Sequence, residues 1–98
     1  MDAISTIKQQ LVERVRARRR EKGLSQQALA GISGVSFGSV KRFERFGEIS
    51  LSSLLRLAMA LNCENDFAYL FWERSAAVTG RYLVSSPQQD HSVMLVWA

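Results

Sequence analysis

The stretch that decides the fold is "SGVSFGSVKRFERF", Ser33 to Phe46. Val35, Val40 and Phe43 fall on one helical stripe, whereas Lys41, Arg42 and Arg45 fall largely on the others. The spacing predicts a short helix with one buried side and one basic, exposed side. Phe37 opens the exposed side, and any functional reading has to say what an aromatic ring does there.

Upstream, Ser25 is placed as an N-cap, Leu29 and Ile32 supply an apolar edge, and Gly34 ends the piece after barely two turns. This predicts a helix over about 26–32. Further back, Ile4, Ile7, Leu11 and Val15 recur at spacings of three and four, followed by the basic run Arg16 to Lys22 and then Gly23. That pattern is an amphipathic helix over roughly 3–22, stopped by a glycine. The quoted stretch itself is a third helix, capped by Ser36 and running to about Phe46 before Gly47. Downstream, Ser50 precedes Leu51, Leu54, Leu55, Ala58 and Leu61, which predicts a fourth, well-buried helix ending near Asn62. Asn65 can cap a fifth, with Phe67, Leu70 and Phe71 as its apolar side. Beyond Arg74 the helical period stops, and "RYLVS" and "VMLVW", separated by "SPQQDH", are rich in β-branched and aromatic residues. The expected fold is mainly α: five helices in residues 1–74, with a short C-terminal β-strand or hairpin extension in 75–98.

Composition limits what such a chain can do. At 98 residues and 47% hydrophobic, it suffices for one small core and an appendage. The formal charge is +4 and the sequence pI about 9.8, in the range where nucleic-acid binding becomes a serious expectation. The charge is also uneven. Through Ala60, eleven Lys and Arg face five acids, whereas from Leu61 onward Arg74 and Arg81 face four. The first part is therefore the part suited to a polyanion. Cys63 is the sole cysteine, so no intrachain disulfide can form, and a reducing cytoplasm is the expected setting. No stretch approaches the roughly 20 apolar residues that span a bilayer. His91 is the sole histidine, and neither a CxxC, an HExxH nor a glycine-rich phosphate loop is present. An enzyme, a metal site and a cofactor are accordingly not expected.

Two short helices joined by the tight turn "SGVS" form a helix-turn-helix arrangement, whose second helix is sized for the major groove. Ala30 supplies the small residue needed where the two helices cross, and Gly34 the residue free to take positive φ. "LSQQALAGISGVSFGSVKRFE" resembles the Cro/C1-type, or XRE-type, helix-turn-helix repressors, and the likeness extends from about Val15 through Phe71. Within that group, "FERFGEISLSSLLRLAMALNC" followed by "DFAYLF" resembles the HipB-like antitoxins of HipA-type kinase systems.

Each candidate residue has a physical role. Gln26, in the first turn of the second helix, can grip a DNA phosphate alongside the unpaired backbone N–H groups, and Ser36 can do the same at the third helix while capping it. Lys41, Arg42 and Arg45 can reach guanine O6 and N7 or flanking phosphates. Ser39 shares the first turn of the recognition helix, and Gly38 can let its backbone approach the groove closely. Arg14, Arg16, Arg18, Arg20 and Lys22 circle the first helix and are read mostly as a solvated face. The resemblance implies that Arg19 and Glu44 form a structural ion pair between the first helix and the recognition helix. It also places Phe37 at a base-reading position that is usually polar in the family. An apolar ring there can meet a thymine methyl group.

The resulting expectation is a homodimeric repressor of its own operon, reading a palindromic double-stranded operator, with a HipA-like kinase toxin as partner. Tyr82, Val84, Leu95 and Trp97 in the extension are expected to serve the dimer or that partner. The alternatives are a protein-interaction module that binds a kinase or toxin with weak DNA binding, and a phage-type repressor without a toxin.

Overall fold

In the computed structural model, which describes residues 2–72, four α-helices each start at a capping side chain. They are α1 (Ala3–Glu21), α2 (Gln26–Ser33), α3 (Phe37–Phe46) and α4 (Leu51–Ala60). Asp2 accepts from the Ser5 N–H at 2.7 Å, Ser25 from Ala28 at 3.0 Å, and Ser36 and Ser50 from Ser39 and Ser53, both at 3.1 Å. Each cap satisfies a backbone donor that the helix leaves open, and its loss costs about 1 kcal/mol.

The two glycines that bound the decisive stretch end α2 and α3 in left-handed conformation. Gly34 has φ +78° and returns its N–H to the Ala30 carbonyl; Gly47 has φ +73° and returns its N–H to that of Phe43. Only Gly47 is also crowded. A Cβ there would lie 2.9 Å from the Lys8 Cβ, whereas one at Gly34 meets nothing within 4 Å. Gly34→Ala therefore carries only the left-handed backbone strain, about 1 to 2 kcal/mol. Gly47→Ala is expected to lose more, because α1 and the end of α3 must also move apart. Urea unfolding midpoints of the two variants check this, and equal losses would show that the approach of Lys8 is not a constraint.

The core follows the predicted stripes in part: Ile32 and Leu51, read as stripe residues of the second and fourth helices, are exposed. Leu29, Val40, Phe43 and Leu57 are buried to under 2% exposure. Val12, Ala30, Val35 and Leu61 complete the cluster, with Leu11, Val15, Leu24, Leu54 and Cys63 packed against it. α2 packs on α3 and α4, and α1 packs on α3. Cys63 is half-buried at the edge of this core.

Three expectations need correction. Ile4 and Ile7 are exposed, although they continue the apolar stripe of α1. At about 1.5 Å per residue, nineteen residues outrun the ten-residue α3 by more than 10 Å, so among the described residues nothing covers Ile4 and Ile7. Helix α4 stops at Ala60, and the chain passes through Asn62 at φ +60°, a conformation asparagine tolerates. The fifth helix is not an α-helix but a 3-10 segment, Glu64–Tyr69. Phe71 follows at φ +60° and fully exposed, and Leu70 is exposed too, so the expected apolar side does not form. Asn62, Asn65 and Asp66 crowd this region with side chains that compete with the helical backbone for its hydrogen bonds.

By its contacts the chain divides after Glu64. In the second unit, the Tyr69 and Trp72 rings meet at 6.2 Å between centroids. The expected strands, and Tyr82, Val84, Leu95 and Trp97 with them, lie outside the described residues. No described helix is long and apolar enough to cross a membrane.

Candidate nucleic-acid interface

The turn between α2 and α3 is held from within. Val35 is buried, and the Ser33 hydroxyl accepts from the Val35 N–H at 3.1 Å while donating to the Ala30 carbonyl at 3.3 Å. With Val40, Phe43 and Glu44 facing inward, α3 turns Phe37, Gly38, Lys41, Arg42 and Arg45 outward and leaves Ser39 half-buried.

Glu44 is the fixed point beneath this face. Its carboxylate accepts from Arg19 twice, Nε to Oε2 at 2.7 Å and Nη2 to Oε1 at 2.9 Å. Gln26 Nε2 donates to Oε1 at 2.9 Å, and Arg16 Nε to the same oxygen at 3.3 Å. Arg16 also donates to the Glu44 backbone carbonyl at 2.8 Å, and Arg19 to the Leu24 carbonyl at 2.9 Å. The Arg19 and Glu44 side chains are 9% and 2% exposed, so this is a desolvated, bidentate pair whose remaining polar atoms are satisfied. Burial pushes the Glu44 carboxyl up, but the bonds from Arg19, Gln26 and Arg16 and the charge of Arg19 outweigh it and hold it below the ordinary value. One carboxylate thus joins α1, α2 and α3.

Arg19 and Glu44 are in contact, where the resemblance puts them. Gln26 is half-buried, and its amide nitrogen donates to Glu44. Arg16 leaves the solvated face to bond the carboxylate and the end of α3. It stands three residues before Arg19, on the same side of α1, so that spacing was an available signal.

Lys41, Arg42 and Arg45 form no ion pair among the described residues. The Lys41 ammonium lies 5.0 Å from the centre of the Phe37 ring, and the Arg45 guanidinium 5.1 Å from that of Phe46. By contrast, Lys8 pairs with Glu48, and Arg18 with Glu21. A Cβ built on Gly38 meets no atom within 4 Å, so the space beside it is open. The outer face of α3 therefore carries three cations without an ion pair among the described residues, around an open glycine, a surface that suits a phosphate-lined groove. Among the described residues, no three of His, Cys, Asp and Glu come together as a metal site would need.

Comparison with known proteins agrees with this geometry. The model of the helix-turn-helix family matches residues 15–65, from the middle of α1 into the 3-10 segment. Control protein C.SmaI of Serratia marcescens is 49% identical over 59 residues, which cover 57% of this chain and 68% of that protein. No solved structure matches the chain.

Proposed function

Because the chain belongs to the helix-turn-helix family, in its XRE-type branch, and is a DNA-binding transcription regulator, we propose that it works as a homodimeric control protein on a palindromic operator in its own operon. The observation that carries this is the outer face of α3, where Lys41, Arg42 and Arg45 have no ion pair among the described residues, on a helix anchored through Glu44. One such helix reads only a few base pairs. Two of them, related by a two-fold axis and about one DNA turn apart, read enough to select a site in a genome. Binding, without catalysis, is the whole of the activity proposed.

The similarity to a control protein supports gene control as the role, with an operon of the restriction–modification kind as the first target to examine. The HipB-like antitoxin role, with a HipA-like kinase as partner, draws no support from these comparisons. Footprinting on the DNA upstream of the chain's own coding sequence is expected to show two protected half-sites, with affinity falling steeply as salt rises. Sedimentation equilibrium is expected to show a dimer. A single unsymmetrical footprint, or binding equal to that of unrelated DNA, would reject the proposal.

A further inference from the structure

The first turn of α3 has few side chains left with which to read a base. The Ser36 hydroxyl donates to the Ser39 hydroxyl at 2.8 Å while accepting from the Ser39 N–H at 3.1 Å. The Ser36 hydroxyl is thereby spent on the cap, Ser39 keeps only its own O–H as a donor, and Gly38 has no side chain. Phe37 is the one apolar group of the turn. Its ring is 40% exposed and is not part of the core cluster that Val40 and Phe43 complete. One turn further on, Lys41 holds its ammonium 5.0 Å from the centre of that ring. The attraction between the cation and the ring makes the pair one surface, apolar beside charged.

We infer that Phe37 and Lys41 together recognise a thymine through its C5-methyl group, with a guanine at the neighbouring base pair. The inference rests on the DNA-binding reading and says what that face reads. In the major groove the thymine methyl is the one apolar group on a base edge, and guanine O6 and N7 are the acceptors a lysine meets. Successive base pairs lie about 3.4 Å apart. A ring and an ammonium 5.0 Å apart are separated by more than one such step and less than two, so they reach adjacent pairs. With Phe37 40% exposed, the ring keeps open surface for the methyl.

The test uses the full chain and a random pool of duplexes, from which the protein selects its site. The selected half-sites are expected to hold a fixed thymine beside a guanine. Replacing that thymine by deoxyuridine removes the methyl and leaves the base pairing and the O4 acceptor unchanged. Wild-type affinity is expected to fall about fourfold per half-site, the worth of one buried methyl group. Phe37→Ala is expected to bind the two duplexes equally, and Lys41→Met to lose the guanine preference. The deoxyuridine comparison is made on the wild-type protein, so it does not depend on how a variant folds. A selected site without the fixed thymine, or one indifferent to deoxyuridine, overturns the methyl contact. A fixed thymine without the adjacent guanine overturns the part given to Lys41. If no sequence is enriched at all, the DNA-reading proposal itself fails, which is a different result from enrichment without methyl dependence.

Discussion

Glu44→Ala is expected to lower the stability of the domain by about 3 to 5 kcal/mol, the usual loss when one member of a buried ion pair is removed. Such a change leaves the Arg19 guanidinium, 9% exposed, without its carboxylate, and strips Gln26 and Arg16 of their shared acceptor. A domain of about 70 residues has only about 4 to 10 kcal/mol of stability to lose, so the loss takes a large share of it, and at the low end of that range the variant is partly unfolded at room temperature. Arg16→Ala is the contrast. Its side chain is 33% exposed and its ion pair longer, at 3.3 Å, and the loss should be about 1 kcal/mol or less. Urea unfolding followed by circular dichroism separates the two, and a Glu44→Ala midpoint close to that of Arg16→Ala would place the whole cluster among surface pairs.

The same carboxylate gives the stability a pH dependence whose sign can be worked out. The folded protein holds the Glu44 carboxyl below its ordinary value of 4.5, so as pH falls the unfolded chain takes up this proton first. Stability from the cluster is therefore fully present above about pH 5 and is lost as the pH drops through the folded-state value. Glu44→Gln has no such proton to gain. The stability gap between wild type and Glu44→Gln should be constant near neutrality and close progressively below about pH 4.5. A gap that widens on acidification would mean that burial, not the arginines, dominates the carboxyl.

The sequence was most legible where one residue type had one physical use. Serines before apolar runs at positions 25, 36 and 50 do cap helices, and Gly34 and Gly47 take the left-handed conformation that ends them. The core stripe of Val40 and Phe43 needed only helical period. Side chains with several partners in reach were less legible. Gln26 offers an amide to solvent, to phosphate or to a carboxylate, and only the packing of α2 against α3 brings Glu44 within 2.9 Å of it. Arg16 was grouped with its neighbours by charge, although register puts it beside Arg19. Apolar periodicity misled at both ends of the described chain. Among the described residues, Ile4 and Ile7 keep the period where nothing covers them, and Phe71 keeps it two residues past the end of the 3-10 segment, at a positive φ of its own. Period shows which residues share a face; it does not show that anything covers the face.

Changing Lys41, Arg42 and Arg45 together to alanine is expected to abolish specific DNA binding while leaving the fold intact. All three are exposed on α3 and none is in an ion pair among the described residues, so the unfolding midpoint should shift little, within the range of about 0.5 kcal/mol for surface changes. Binding should respond very differently. A base-reading contact contributes about 1 to 3 kcal/mol, and three contacts at the low end already amount to a loss of roughly a hundredfold. The single variants divide the labour. One that contacts phosphate weakens all sequences alike and flattens the salt slope by about 0.9, whereas one that reads a base lowers specific binding and leaves the slope nearly unchanged. Arg42 stands where a base reader would, between Lys41 at the ring of Phe37 and Arg45 near the end of the helix. Its alanine variant should therefore lose discrimination between the selected site and unrelated DNA, at an almost constant salt slope. Because Glu44 fixes α3 from beneath through Arg19, these changes on the outer face should leave the helix where it is. A triple variant that keeps wild-type affinity for the operator would remove this face of α3 from the binding surface altogether.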